Sequence, residues 1–352
     1  MQEIKNQFHK ELVDLRKLIS FYDAEIRLLG EFDFSQPNIN NDLLNELSTI
    51  LKSFNISKRQ FNYNSIIISL YGSFERFVEN ILISYIDFIN RLIAKYDRLP
   101  EAIIKNHFNL SLTLLNKIQQ PRYNGPLKKE GIISNLHTCI NVNENYQLNK
   151  DAFAQHTANF RLQVIDENFA HVGILGISSL IMKDKNFHTY LLEKTEKTDD
   201  DAISLDEAFY LLNDLAERRN DVAHGVPSEI LQNDILLDYI TFFETYTEAL
   251  TSILEKEYLQ NELSYSGKEL GDITDVFQEG KVICVYSNKL PIKNGDTLIG
   301  KNENTIIKAK VMGIKLDDAK IENADEQNNY ELGIEIDGKF RKNFKVFLIP
   351  SK

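Results

Sequence analysis

The chain has 352 residues, 43% hydrophobic and 26% charged, with a formal net charge of −12. That length holds two domains with a core each, and the acidic balance excludes a protein that coats nucleic acid through bulk charge, since such binding is driven by neutralising phosphates. Cys139 and Cys284 stand far apart, which excludes a disulfide framework or a cysteine zinc site, and no run approaches the roughly 20 apolar residues of a membrane span, so a cytoplasmic protein without a membrane partner is expected.

The first element is an amphipathic helix over 2–29, where Ile4, Phe8, Leu12, Leu15, Ile19, Tyr22 and Ile26 recur at helical intervals. A loop follows at 31–41, marked by Pro37 and a cluster of Asn. Helical spacing returns over 42–54, then in a longer, more apolar run over 61–97. In that run Glu75 and Glu79 lie four apart on one face, and Gly72 and Ser73 permit close approach of another backbone. Residues 99–149 read as short helices joined by surface loops, with Pro100, a turn from Pro121 to Pro126 and an Asn-rich stretch over 141–149. Next comes a segment with the order His156, Asn159, Arg161, followed by a short helix and a Gly-containing turn. His171 and His188 have no partner at ligand spacing and read as structural or exposed.

A charged loop over 194–201 leads to Ser204, which with Glu207 has the form of a capping box and starts a helix at about Leu205. Phe209, Leu212, Leu215 and Ala216 form its apolar face and carry it into Arg219-Asn220-Asp221-Val222-Ala223-His224. Arg219 is a permanent cation suited to a developing phosphorane charge, and His224 is of the one side-chain type whose unperturbed pKa lies near neutrality, which suits proton transfer. Asn220 is able to orient a phosphate or hold the histidine tautomer. Arg218 fits either an RNA backbone or an ion pair with Asp214, four residues earlier. On a straight helix Arg219 and His224 lie about 140° apart, so one copy makes a poor site and an isologous dimer is expected to complete it. A further helix spans 229–259, whose aromatic stripe reads as core or dimer interface. After a linker at 263–275, β-branched residues alternate with polar ones in KVICVYS, NTIIKAKVMGIKLD, YELGIEID and FKVFLI, which predicts a small closed barrel over 276–352. There is no Walker-type glycine loop and no nucleophile elbow.

The Arg219-to-His224 pattern, at the end of an amphipathic helix and followed by Gly225, resembles the R-x4-H signature of the HEPN superfamily. The resemblance implies a multidomain α + β chain: an all-α HEPN-type domain over 1–262, interrupted by an insertion at about 99–200, and then the barrel. It implies a metal-independent, cofactor-free endoribonuclease with Arg219, His224 and Asn220 as catalytic residues. The acidic residue that an early helix contributes in such proteins falls at Glu75, with Ser73 and Glu79 as weaker choices. The segment carrying His156, Asn159 and Arg161 is similar to an insertion in a conflict-system branch, which implies that these residues, with Arg218, line an RNA path. RNA, a second copy, and an antitoxin or defence-system protein are the implied partners, and the implied role is that of a toxin or antiphage effector. A non-catalytic RNA- or protein-binding adaptor is the alternative. Some HEPN toxins carry a modified tyrosine two residues after the histidine; Val226 stands there, so that control is not expected. The order of elements in the last fifth resembles the second-domain barrel of translation elongation factors such as Tu, which implies a barrel fold.

Overall fold

From residue 41 to residue 71 the sequence has neither glycine nor proline, and nothing in it stops a helix. The two helices expected at 42–54 and 61–97 are accordingly one, α2 (Asn41–Leu92), in the computed structural model, which describes residues 1–31, 41–156, 158–198, 203–226, 229–325 and 329–350. The loop expected at 31–41 and the end of the charged run at 194–201 fall largely outside the described residues. The chain divides into two units, one of Met1–Asp87 with Leu99–Ile253 and one of Phe88–Arg98 with Leu254–Lys352.

The first unit is built around α2, which is apolar on several faces and is therefore buried on several sides: Ile67, Leu70, Phe74, Val78 and Ile81 are inaccessible to solvent. α1 (Gln2–Glu31) packs on it through Phe8, whose ring lies 5.1 Å from Phe77. The described residues of 101–195 supply six short α-helices, α3 (Glu101–Lys117), α4 (Lys129–His137), α5 (Lys150–Ala154), α6 (Leu162–His171), α7 (Ile177–Met182) and α8 (Lys185–Thr195), with a π-helical turn at Thr138–Val142 after α4. The helix expected from Leu205 starts there, with the Ser204 hydroxyl accepting from the Glu207 N–H at 3.2 Å. It breaks at Phe209 (φ −111°, ψ 19°) into α9 (Leu205–Ala208) and α10 (Tyr210–His224). α11 (Asn233–Ser266) closes the unit, and its aromatic stripe is core: Tyr239, Phe242, Phe243 and Tyr246 are buried, with Phe243 4.6 Å from Phe74.

In the second unit the described residues after α11 form nine strands: β1 (Lys268–Phe277), β2 (Val282–Tyr286), β3 (Ile292–Lys293), β4 (Thr297–Lys301), β5 (Ile306–Leu316), β6 (Ala319–Ile321), β7 (Asn323–Ala324), β8 (Glu331–Ile336) and β9 (Lys345–Ile349). Six of them pair in the order β4-β9-β1-β2-β8-β5, and β5 returns to β4, so the ring is closed and has no free edge. The fold class expected from the alternating runs is the one found. Residues 263–275, expected as a linker, hold instead the last turn of α11 and most of β1. Gly267 alone separates them, and only glycine fits, because a Cβ there would meet the Leu263 carbonyl oxygen at 2.5 Å.

One buried polar knot fixes the insertion. Asn149 donates its backbone N–H to His107 Nε2 (3.0 Å) and its amide to Ser111 Oγ (3.0 Å) and the Ile132 carbonyl (3.1 Å), and accepts from Asn135 (2.9 Å). His107 must be neutral at Nε2 to accept that bond, and burial pushes its pKa down to about 4. In the unfolded chain it titrates near 6.5, so the unfolded state binds more protons between those values. The stabilisation is therefore complete above pH 6.5 and is lost as pH falls toward 4, on the order of 3 kcal/mol. Urea unfolding at several pH values is expected to show this slope in the wild type and a shallower one in His107→Gln, which keeps an acceptor and cannot titrate.

Candidate active site

α10 is anchored on its apolar face by Leu212, Leu215 and Ala216, all buried. The residues at 213, 217 and 220 fall on another side of the helix at spacings of four and three, and this side takes the 159–162 segment. Asn213 Oδ1 accepts from the Leu162 N–H (3.1 Å), Glu217 faces Arg161 (3.5 Å), and Asn220 Oδ1 accepts from Asn159 Nδ2 (2.6 Å), which also reaches the Ala216 carbonyl (3.2 Å). The His-x-x-Asn-x-Arg segment is thereby fastened to the signature helix.

That attachment fixes Asn220. Its Oδ1 receives Arg219 Nη1 (3.3 Å) as well as Asn159, and two donors on one oxygen set the amide orientation. The Asn220 NH₂ is left without a partner among the described residues. Arg219 is half-buried, with its guanidinium carbon 5.3 Å from the centroid of the Tyr71 ring. No carboxylate pairs with Arg219 among the described residues. Tyr71 is itself held, since its hydroxyl accepts the Phe160 N–H at 2.9 Å; burial, aided by the charge of Glu75, pushes its pKa up to about 12.

Tyr71, Glu75 and Glu79 are successive four-residue steps on α2 and form a polar stripe down an otherwise apolar helix. His156 Nε2 lies 2.9 Å from Glu79 Oε1 and 3.3 Å from Glu75 Oε1, and Arg122 Nη2 pairs with Glu79 Oε2. Burial alone would raise the Glu79 pKa, but the hydrogen bonds from His156 and Arg122 hold it below the ordinary carboxylate range. His156 Nδ1 lies 2.7 Å from the Ala158 carbonyl, an acceptor only, so Nδ1 carries a proton. Nε2 then faces two carboxylates, where it either bears a second proton or offers its lone pair to a cation. Glu75, Glu79 and His156 are the described residues able to hold a metal ion, with ligand atoms all within 4.8 Å of one another.

The structure therefore brings Glu75, His156, Asn159, Arg219 and Asn220 into one connected set with Glu79, the weaker choice for the acidic position, and adds Tyr71 and Arg122. Neither addition has a sequence signal. Arg76, a potential partner of either glutamate, pairs with Glu11 on α1 (2.9 Å) and donates to Ser73 (3.1 Å), so Ser73 belongs to that contact. Arg218, which from the sequence fits either an RNA backbone or an ion pair with Asp214, makes the ion pair (2.7 Å) and also donates to the Tyr63 hydroxyl (3.0 Å) and the Glu229 carbonyl (3.2 Å). Burial would lower its pKa, but Tyr63 and Asp214 raise it, and Tyr239 also donates to Asp214. This network ties α10 to α2 and α11. His224 is exposed in the last turn of α10, ahead of Gly225, whose φ of 66° makes the left-handed cap. Among the described residues it has no hydrogen-bond or ion-pair partner.

The helical unit thus ends α10 in Arg-x4-His and sets the Tyr71 face of α2 beside the arginine. The model of the RiboL-PSP-HEPN domain matches residues 38–256, well over half of the chain, and the chain belongs to that family. HEPN domains are commonly RNases. No curated protein matches the chain. Among the described residues no helix is long and apolar enough to cross a membrane.

Tyr71→Phe separates the two tasks of that side chain, because the ring under Arg219 stays while the acceptor of the buried Phe160 N–H is lost. A stability loss of about 1–3 kcal/mol is expected by chemical denaturation. An unchanged midpoint would show that the hydroxyl does not hold the 156–160 segment.

Proposed function

We propose that this chain is a metal-independent endoribonuclease in which the 2′-oxygen attacks the adjacent phosphorus and the 5′-oxygen leaves with a proton, giving 2′,3′-cyclic phosphate and 5′-hydroxyl ends. The reading is carried by one observation: Arg219 has no carboxylate partner among the described residues, next to an Asn220 whose NH₂ is held outward by two donors on its oxygen. A guanidinium so placed accepts a phosphate at little cost in reorganisation, and the amide adds a donor to a non-bridging oxygen. His224, exposed and unpartnered among the described residues, exchanges protons as base or acid.

Asn159 acts through Asn220 as a positioning residue, and Glu75 holds His156 at the acidic side of the cleft. Arg161, 43% exposed beside Glu217, is the residue of the segment best placed to swing onto an RNA backbone. Arg218 is assigned to fixing α10. A second copy of the chain supplies the facing Arg219 and His224, and the role is that of a toxin or antiphage effector held in check by a partner protein.

Arg219→Ala and His224→Ala are each expected to lower cleavage of RNA in EDTA by about 10²–10⁴ while circular dichroism and the dimer mass are retained. End analysis is expected to give cyclic phosphate. Wild-type activity in both variants, or 3′-hydroxyl ends dependent on added metal, would falsify the reading.

A further inference from the structure

We infer that Glu75, Glu79 and His156 form a binding site for one divalent transition-metal ion of the zinc type, separate from the cleavage chemistry assigned to Arg219 and His224. This stands whether or not the chain cuts RNA. The donor set is one imidazole nitrogen and two carboxylate oxygens, a mixture that suits zinc and its neighbours better than magnesium or calcium, which take oxygen ligands. The spacing also fits. Zinc bonds of about 2.0–2.2 Å in a tetrahedron put neighbouring ligand atoms about 3.3 Å apart. His156 Nε2 already lies 2.9 and 3.3 Å from the two carboxylate oxygens, and all three ligand atoms lie within 4.8 Å of one another, so side-chain movement alone brings them onto one ion.

Three further features distinguish this set from a surface cluster of acids. The side chains of Glu79 and His156 are 8% and 10% exposed and that of Glu75 is 25% exposed, so the ion would enter on the Glu75 side. The Ala158 carbonyl takes Nδ1–H at 2.7 Å, the outer contact that fixes the tautomer of a metal-ligating histidine. Arg122 engages Glu79 through Oε2, while Oε1 meets His156 Nε2 and is the oxygen that would turn to the ion. The ion would sit between Nε2 and the two carboxylate oxygens. A fourth position, next to the more exposed Glu75, is left for water.

The consequence is structural. His156 begins the segment whose Asn159 fixes Asn220 and whose Phe160 N–H fixes Tyr71, so an ion here fastens that segment to α2. It is not required for the reaction at Arg219 and His224.

The test uses the full chain, stripped with EDTA and dialysed, then titrated with Zn²⁺ by calorimetry and with Co²⁺ by visible absorption. One ion per chain is expected, with a tetrahedral cobalt spectrum and a higher thermal midpoint. His156→Ala and Glu79→Gln are expected to weaken binding by about 100-fold or more. Glu75→Gln, at the most exposed ligand, serves where the buried variants fail to fold, and is expected to weaken binding by at least about 10-fold. His224→Ala is expected to bind as wild type. No binding to the stripped wild type, or wild-type binding in folded Glu75→Gln and His156→Ala, overturns the assignment.

Discussion

A carboxylate as buried as that of Glu79 has to be compensated by charge and hydrogen bonds, and the arrangement of the helical unit follows from that need. α2 is apolar nearly throughout its inner length, so a glutamate on it draws partners from other segments. Arg122 comes from a turn after α3 and His156 from the loop after α5. With His156 held, the next residues cannot go elsewhere: the Phe160 N–H meets Tyr71, and Asn159 meets Asn220. One buried acid on α2 thus determines how the insertion is applied to the signature helix. Burial of this kind costs stability if either partner is removed, and it gives the segment a single resting place.

The same logic separates two adjacent arginines. Arg218 and Arg219 stand about 100° apart around α10, so they face different surroundings. Arg218 turns toward Asp214, Tyr63 and the Glu229 carbonyl, where three polar groups satisfy it at 17% exposure, with Tyr239 in turn donating to Asp214. Arg219 turns toward the aromatic face of Tyr71, which attracts a cation without neutralising it. The first is spent on joining three helices; the second keeps a charge that no carboxylate neutralises among the described residues.

Much of the fold was legible because periodicity reports the faces of helices and strands. The core role of α11's aromatic residues, the Ser204 cap and the closed barrel all follow from spacing and turn residues. Helix breaks were less legible: nothing between Phe54 and Phe61 interrupts a helix, so two predicted elements were one, and the break at Phe209 lies in a sequence that is helical by pattern. Asn149 sits in an Asn-rich run that reads as surface loop, yet it is buried with its polar groups bonded. Arg122 lies in a Pro- and Gly-flanked turn, and no local signal says that it reaches Glu79. Residues whose partners are distant in sequence leave no periodic trace.

The two halves of the candidate site differ in how they are held, and the difference suits the chemistry proposed for them. Arg219 and Asn220 are fixed by Tyr71 and Asn159, which is what electrostatic stabilisation of a developing charge requires, since donors already in place lose little by reorganising. A histidine that gives and takes protons has the opposite requirement, because it must exchange with solvent between turnovers. His224, exposed at the mouth of the Gly225 cap, meets it. Within one chain the described residues offer His224 no orienting group, whereas a catalytic imidazole normally gains direction from a hydrogen bond at its second nitrogen. In the proposed reaction that bond has to come from the RNA or from the facing copy, so proton transfer waits for assembly while the phosphate site is ready beforehand.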